Sequence, residues 1–240
     1  MAIEPRTLEV EVRASDASLE GTLTIPGDPV GIVIFAHGSG SSRLSPRNRF
    51  VADSLAASGF ATLLFDLLTP QESDEDERSL ALRFDIALLA RRLVGGLDWL
   101  GSRPEVQSLK TGVFGASTGA AAAVIAAAER PDLVSAVVSR GGRPDLAQAA
   151  LSRVRAPTLL IVGGLDTAVI GMNRQAASLL ACAHRLEIVP GATHLFPEPG
   201  KLEAVAHLAG DWFWRHLPAG RRKHRWSGGS FRPVAERDGL

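Results

Sequence analysis

Two kinds of hydrophobic pattern divide the chain near Pro29. Before it, apolar residues alternate with polar ones at 8–12 and 19–25, on either side of a turn-like segment at 14–17. A period of two is typical of half-buried strands, so the opening predicts two short antiparallel strands. After it, the apolar runs are short and continuous, at 32–36, 61–65, 112–114, 136–139, 158–162 and 186–189. Continuous runs indicate strands buried on both faces, as in a parallel sheet covered by helices.

In the segments between these runs, apolar residues recur with the spacing of helices. One apolar stripe recurs at steps of three and four residues, through Leu82, Ile86, Leu89, Leu93, Leu97 and Leu100, and a second covers 202–213. Ser45 and Pro46 suit the N-cap and first position of another helix, which we expect to end at Gly59. The alternation of strands and helices predicts the α/β class, with a mostly parallel sheet and an antiparallel start.

The domain boundary is predicted near Pro218. No Pro/Gly/Ser-rich linker interrupts residues 1–218, which we expect to form a single domain. Residues 219–240 are basic and rich in glycine and serine, which predicts a mobile tail. Its cations beside Trp226 could bind a nucleic acid or an acidic partner, but a solvated tail is the favoured interpretation.

Composition and charge narrow the function classes. The 240 residues are 45% hydrophobic and 22% charged, which is ordinary for a globular protein and excludes collagen-like and disulfide-scaffold classes. Lys+Arg and Asp+Glu number 26 each, so no nucleic-acid partner is expected. The first residues are partly acidic and show no apolar stretch, so no signal peptide is expected, and the longest apolar run, at 119–128, is too short to span a membrane. The single cysteine, Cys182, lies in a helical pattern as a small core residue, and a cytoplasmic location is expected.

The segment Gly115-Ala116-Ser117-Thr118-Gly119 carries the first chemical signal. It is a G-x-S-x-G between an apolar strand and an alanine-rich helix, the context that a nucleophile elbow requires. Such a turn presents the serine Oγ at the carboxyl edge of the sheet, and the small flanking residues leave room for it. Taken alone, the motif could equally be a glycine-rich turn.

Two further side chains follow later strands. Asp166 lies just past the run at 158–162, and His194 just past the run at 186–189. Alone, Asp166 could be a helix N-cap and His194 a structural loop histidine. Because both fall at the same sheet edge as Ser117 and follow the chain order Ser, Asp, His, we predict a catalytic triad.

An oxyanion hole is predicted beside Ser117. The glycine-rich loop after the run at 32–36, which contains His37 and Gly38, can aim the backbone N–H of Ser39 at a substrate oxygen. The second donor is expected to be the N–H of Thr118, directly after the nucleophile. His37 itself is interpreted as a structural residue of the loop.

Residues 37–40, 115–119, 163–166 and 191–194 together resemble the α/β-hydrolase fold, and within it the dienelactone-hydrolase-like branch, over about residues 18–217. The resemblance implies an eight-stranded sheet with helices on both faces and hydrolysis of esters or related acyl bonds without a cofactor. Dienelactone hydrolases proper use a cysteine where this chain has Ser117, which favours a serine esterase. Some similar chains are fused to a phosphoribosyltransferase domain, which this one is expected to lack.

Several points stay open at the level of sequence. The predicted serine carboxylesterase shares its machinery with thioesterases, lactonases, acyltransferases and small peptidases, and a non-catalytic ligand-binding protein is a further alternative. Arg140 and Arg143 are candidate contacts for a substrate carboxylate, with a surface salt bridge as the favoured alternative. The short segment after them leaves no room for a cap domain.

Two further expectations concern the remaining chain. The acidic segment at 69–80 is either a lid or, as favoured, the source of acids for the N-terminus of the Leu82 helix. The scattered histidines and the absence of a phosphate-binding glycine motif predict neither a metal nor a nucleotide cofactor. A small-molecule ester is the expected partner of a monomer or homodimer.

Overall fold

An eight-stranded sheet organises the computed structural model, which describes residues 4–14 and 16–218. Its strands in chain order are β1 (Arg6–Ala14), β2 (Ala17–Ile25), β3 (Ile32–Ala36), β4 (Ala61–Phe65), β5 (Thr111–Ala116), β6 (Val134–Arg140), β7 (Thr158–Gly163) and β8 (His184–Val189). They lie in the order β1-β2-β4-β3-β5-β6-β7-β8. The β1–β2 and β2–β4 pairs are antiparallel and the others parallel, which confirms the predicted sheet.

Helices cover both faces of this sheet. They are α1 (Pro46–Ala57), α2 (Pro70–Ser79), α3 (Ile86–Gly101), α4 (Thr118–Glu129), α5 (Thr167–Leu179) and α6 (Lys201–His216). One buried cluster joins α1 and α6 to one face, and another joins α3 and α4 to the opposite face. The continuous apolar strands predicted from sequence are therefore buried from both sides.

The start of α1 is where the sequence places it. Ser45 is the N-cap, its Oγ accepts the N–H of Asn48 at 3.4 Å, and Pro46 is the first helical residue. The helix ends at Ala57 with Ser58 as its C-cap, and Gly59 follows with a φ of 92°. The predicted end at Gly59 is thus late by two residues.

The prediction of one helix starting at Leu82 is wrong. Leu82–Phe84 forms a separate 3-10 turn, and α3 begins at Ile86, where the carboxylate of Asp85 accepts the N–H of Leu88 at 2.9 Å. The apolar stripe runs through both pieces, but the Asp85 cap interrupts the helix between them.

The favoured role of the acidic segment holds for one of its residues. The segment forms α2, a helix of its own, and the Asp76 carboxylate accepts the backbone N–H of Arg83 in the 3-10 turn that follows, at 2.8 Å. Thr69 and Glu72 make a reciprocal capping box: each side chain accepts the backbone N–H of the other, at 3.2 Å for the Thr69 Oγ1 and 2.8 Å for the Glu72 Oε2. This local motif at the N-terminus of α2 explains why the helix forms there.

Two other segments differ in detail from the sequence reading. Cys182 lies in the loop between α5 and β8, outside any helix, where it is half-buried against the core. The link from β6 to β7 is built around a 3-10 helix, Pro144–Arg153, kinked at Gln148. It is short and carries no inserted domain, as predicted.

The C-terminal tail and the domain boundary at 218 stay predictions, because residues 219–240 lie outside the described residues. Among the residues that are described, no helix is both long and apolar enough to cross a membrane.

Candidate active site

Ser117 occupies a strained turn between β5 and α4. Its φ of 50° and ψ of −121° are unfavourable for a residue with a side chain. Its backbone is held on both sides: its N–H donates to the carbonyl of Arg140 at 3.2 Å, and its own carbonyl accepts the N–H of Arg143 at 3.0 Å. The segment that follows β6 therefore fixes the turn in place.

The two glycines of the motif are required by close backbone approach. A Cβ at position 115 would lie 2.6 Å from the Cα of Ala120, and one at position 119 would lie 2.3 Å from the carbonyl oxygen of Ala36. Backbone atoms cannot retreat from such contacts without moving a strand or a helix. The tight strand-to-helix turn needs glycine at both places.

Asp166 and His194 form a hydrogen-bonded pair at the same edge. Asp166 follows β7, His194 follows β8, and the His194 Nδ1 lies 2.6 Å from the Asp166 Oδ2. Because an ionised carboxylate can only accept, Nδ1 carries the proton and Nε2 is left as the basic nitrogen. The Leu165 N–H donates to the Ala192 carbonyl at 2.9 Å, which ties the two loops together.

Gly141 brings the histidine loop and the serine turn to one place. A Cβ on this residue would lie 2.9 Å from the carbonyl oxygen of His194 and 3.6 Å from its Nδ1. The neighbouring Arg140 and Arg143 hold the backbone of Ser117. One short segment after β6 thus contacts both Ser117 and His194, and Asp166 is hydrogen-bonded to His194.

The loop after β3 lies against the same serine. A Cβ on Gly38 would be 3.0 Å from the Cβ of Ser117, which places Ser39 next to the nucleophile turn. Thr118 is the first residue of α4, so its N–H has no acceptor within the helix. Both predicted oxyanion donors thus lie beside the candidate nucleophile, although their role stays a prediction.

His37 links this loop to the end of β4. Its Nε2 accepts the N–H of Leu67 at 3.0 Å, so Nδ1 carries the proton and donates to the Gly38 carbonyl at 3.0 Å. Burial lowers the pKa of His37, although the Gly38 hydrogen bond and the charge of Asp66 act in the opposite direction. A buried neutral imidazole here holds the loop in shape.

The two arginines proposed as substrate contacts differ in their surroundings. Arg143 pairs with Asp145, with Nε–Oδ1 at 2.9 Å and Nη2–Oδ2 at 2.8 Å, which is the salt bridge favoured from sequence. Arg140 is buried, and its Nη2 donates to the amide oxygen of Asn48 at 3.1 Å.

A cavity of about 570 Å³ lies beside the Ser39 loop. Helix α2 forms part of its wall, and Asp76 of that helix bonds Arg83, with Nε–Oδ2 at 2.6 Å. Burial raises the pKa of Asp76, but its hydrogen bonds with Arg83 outweigh this effect and leave the pKa lowered. The same guanidinium lies 2.8 Å from where a Cβ of Gly40 would be, so α2 is anchored over the loop.

The family follows from comparison with known proteins. The model of the dienelactone hydrolase family matches residues 19–216. The chain belongs to the dienelactone hydrolase family. A solved dienelactone hydrolase from Anabaena variabilis is 59% identical, covers 89% of this chain and 99% of its own, and has a TM-score of 0.88.

More distant structures share the fold of this dienelactone hydrolase family member. Est1E from Butyrivibrio proteoclasticus is 16% identical, with a TM-score of 0.72 over 86% of this chain and 98% of its own. With the strand order above, these matches establish the α/β-hydrolase fold.

Two curated Mycobacterium tuberculosis proteins, each named "Putative phosphoribosyl transferase", are 58% identical over 88% of this chain. The chain spans 47% of their length, so it corresponds to about half of each.

Sequence reasoning missed two residues that shape the site of this dienelactone hydrolase family member. Glu198 accepts the N–H of Thr193 at 3.1 Å and its hydroxyl at 2.6 Å, and so braces the loop that carries His194. An acidic residue four positions after the candidate histidine was the available signal. Gly141 gave none, because its contact with His194 joins loops far apart in sequence.

In the part of the chain that the structure describes, no group of three or more His, Cys, Asp or Glu side chains is placed to hold a metal ion.

Proposed function

We propose that this protein is a serine hydrolase that cleaves carboxylic esters of small or medium acyl substrates. Ser117 is the nucleophile, His194 the general base and acid, and Asp166 the residue that orients the imidazole. The observation that carries the proposal is the strained Ser117 turn on the same sheet edge as the hydrogen-bonded His194–Asp166 pair.

Acylation follows from these roles. His194 Nε2 takes the proton of the Ser117 hydroxyl while Oγ attacks the acyl carbon, which gives a tetrahedral intermediate with a negative oxygen. Asp166, through its bond to Nδ1, stabilises the imidazolium formed in this step. Collapse of the intermediate breaks the bond to the leaving alkoxide, and His194 returns the proton to it.

The negative oxygen is assigned to the backbone N–H groups of Ser39 and Thr118. Both residues lie beside Ser117, and the N-terminus of α4 adds its positive dipole end at the same point. In deacylation a water takes the place of the alcohol: His194 removes its proton, the hydroxide attacks the acyl carbon, and Ser117 leaves with the proton restored. No step requires a metal or an organic cofactor.

Mass spectrometry after treatment with a fluorophosphonate probe tests the nucleophile. A hydroxyl activated by His194 attacks phosphorus and displaces fluoride, so we expect one adduct on the parent protein and none on Ser117→Ala. Asp166→Asn should still fold but react far more slowly, because the imidazole is then held in the wrong tautomer.

The outcomes separate the hydrolase from the binding-protein alternative. Peptide mapping should place the adduct on Ser117, with Ser41→Ala as a control variant that keeps its adduct. A folded parent protein that gains no mass would mean that the triad is not assembled, and a non-catalytic ligand-binding role would replace the hydrolase proposal.

The type of acyl bond that the protein cleaves is the more detailed part of the proposal. Thioesters, lactones and amides use the same nucleophile and base, so a panel that varies only the leaving group separates esterase, thioesterase, lactonase and peptidase activity. Adding a second alcohol tests for acyl transfer. We expect the highest kcat/KM for simple esters, and a lactone as the best substrate would assign the protein to the reaction in the name of its Anabaena relative.

The cellular setting is proposed from composition. Balanced charge and a single cysteine support a cytoplasmic protein that acts on a small-molecule ester, without a nucleic-acid partner. A monomer or homodimer is the proposed assembly, which light scattering of the purified protein measures directly.

A further inference from the structure

Asn173 is a fully buried amide on α5, the helix that begins directly after Asp166. Its Nδ2 donates to two carbonyl oxygens at 2.9 Å, that of Val169 one turn earlier in the same helix and that of Gly142 in the segment after β6. Because both partners can only accept, the orientation of the amide is fixed. One side chain therefore joins the helix that follows Asp166 to the segment that follows β6.

The amide oxygen of Asn173 shows that packing alone does not explain this residue. Its Oδ1 is buried and has no hydrogen-bond partner within the described part of the chain. An unpaired buried oxygen costs free energy, and a leucine of nearly the same size would remove that cost. The Val169 carbonyl already has a backbone partner within the helix, so the bond to Gly142 is what the side chain contributes.

The segment after β6 fixes Ser117 on both sides. The Arg140 carbonyl accepts the N–H of Ser117, and the Arg143 N–H donates to the Ser117 carbonyl. Gly142 lies between these two residues, and an added Cβ there would meet the Cβ of Ala120, in the first turn of α4, at 2.5 Å. A shift of Gly142 would therefore reach the nucleophile turn from both directions.

Few bonds anchor this segment to the rest of the protein. Gly141 has a φ of 51°, and its N–H donates to the Ile161 carbonyl of β7 at 2.8 Å. Among the described residues, Asn173 is the one side chain that bonds the backbone of residues 141–143. Because the φ of 50° at Ser117 is strained, the turn needs such an external anchor to keep its shape.

The base of the site is attached to the same helix. Asp166 is the N-cap of α5, and its Oδ2 lies 2.6 Å from the His194 Nδ1. Asn173 lies two turns further along, roughly 10 Å at the rise of an α-helix. A rigid helix thus carries the carboxylate that orients the base at one end and, two turns on, the amide that holds the segment around Ser117.

We propose that Asn173 is a positioning residue of the hydrolase, which sets the place of Ser117 relative to the Asp166–His194 pair through the carbonyl of Gly142. Its hydrogen bonds reach only backbone carbonyls, so it acts through the turn and not on the substrate. The assignment rests on the proposed hydrolase function, because positioning matters only if Ser117 is the nucleophile. Small errors in the placement of reacting groups cost large factors in rate, so a residue behind the site can limit turnover.

The rate of fluorophosphonate labelling, measured separately from its end point, tests this role. Asn173→Leu has nearly the same size and removes both donors. We expect it to reach the same single adduct on Ser117 as the parent protein, but roughly tenfold to a hundredfold more slowly, because the turn is no longer held in the productive geometry. A variant that is merely less stable stays folded well below its Tm and should label at the parent rate.

Leu180→Ala is the matched control on the same helix. It removes a buried apolar side chain at the C-cap of α5 and leaves the Asn173–Gly142 bond untouched. We expect its Tm to fall, because a core side chain is lost, and its labelling rate to equal that of the parent protein at a temperature where the variant is folded.

Asn173→Ser separates the two bonds of the amide. A serine hydroxyl can donate to the carbonyl four residues earlier, that of Val169, but it is too short to reach Gly142. This variant should therefore label as slowly as Asn173→Leu. It also makes the test independent of whether the leucine variant folds.

Steady-state kinetics with para-nitrophenyl butyrate give a second readout. Both Asn173 variants should lower kcat while KM stays within about twofold of the parent value, since acylation and deacylation use the same Ser117–His194 geometry. A rise in KM at unchanged kcat would assign Asn173 to substrate binding, which contradicts a positioning role.

The outcomes separate this proposal from the proposed function. A single adduct that forms at the same rate on the parent protein, Asn173→Leu and Asn173→Ser overturns the positioning role and leaves the hydrolase intact. Equal slowing in Leu180→Ala would assign the effect to a general loosening of α5, which also overturns it. Absence of an adduct on the folded parent protein overturns the hydrolase, and the positioning role with it.

Discussion

Gly119 is the residue at which the nucleophile turn has the least room. A methyl group there would meet the carbonyl oxygens of Ala36 and His37 at 2.3 and 2.5 Å, both of them backbone atoms. We expect Gly119→Ala to lower the free energy of unfolding by about 2–4 kcal/mol, because β3 or α4 must shift to relieve the contact. Chemical denaturation measures this, and fluorophosphonate labelling of Ser117 should slow in parallel.

Gly171→Ala is the matched control for this prediction. Gly171 lies inside α5, where an added Cβ meets nothing within 4 Å. The same substitution should therefore stabilise the protein, by up to about 1 kcal/mol, since alanine favours the helix. If Gly119→Ala and Gly171→Ala were equally stable, crowding at the serine turn would not explain why residue 119 is a glycine.

Individual site residues could be predicted from the sequence where the motif that marks them lies in a few neighbouring residues. Ser117 with its two glycines lies within five residues, and Asp166 and His194 each follow directly after an apolar run. Arg140 was named from sequence as a candidate contact, but its difference from Arg143 was not visible there. Asp145, two residues from Arg143, pairs with it, whereas Asn48 meets Arg140 only through the fold.

The buried carboxylate of Asp76 is one of two ion-pairing groups that hold helix α2 in place, the other being Glu72, which pairs with Arg92 of α3. Asp76 accepts the backbone N–H of Arg83 at 2.8 Å and its Nε at 2.6 Å. We expect Asp76→Asn to loosen α2 while the sheet stays intact, because the ion pair and part of its hydrogen bonding are lost. Amide hydrogen exchange should speed up by roughly tenfold within residues 70–79, as expected for local opening made easier by about 1–2 kcal/mol.

Asp74→Asn provides the comparison on the same helix. Asp74 is exposed, so its loss should leave the exchange of α2 nearly unchanged. Uniformly faster exchange across the sheet in Asp76→Asn would contradict a local anchor and indicate a global loss of stability instead.

Helices and strands could be predicted from the sequence where a single hydrophobic pattern determines their bounds. The runs at 32–36 and 61–65 match β3 and β4 residue for residue, because strands buried on both faces are predominantly apolar. The helix predicted from the apolar stripe at 82–100 starts too early, because two local signals compete there. The apolar spacing continues through 82–86, but the Asp85 cap starts the α-helix at Ile86, after a separate 3-10 turn.

In the described molecule as a whole, the sheet couples two cores. Successive residues of β3 point to opposite faces: Ile32 and Ile34 enter the cluster under α3 and α4, while Val33 and Phe35 enter the cluster under α1 and α6. A strand cannot leave one cluster and stay in the other, since its side chains alternate along a single backbone. The two cores should therefore unfold in one transition.

One substitution on each face tests this coupling. Phe213→Ala in α6 and Leu93→Ala in α3 each remove a fully buried side chain from a different cluster, and each should lower the free energy of unfolding by about 2–5 kcal/mol. Far-ultraviolet circular dichroism and fluorophosphonate labelling of Ser117 should give the same midpoint within each variant, while Leu179→Ala at a half-exposed site should shift it little. Separate midpoints in either variant would mean that one face melts alone, and the alternation along β3 would then not be what joins the serine turn to the stability of both cores.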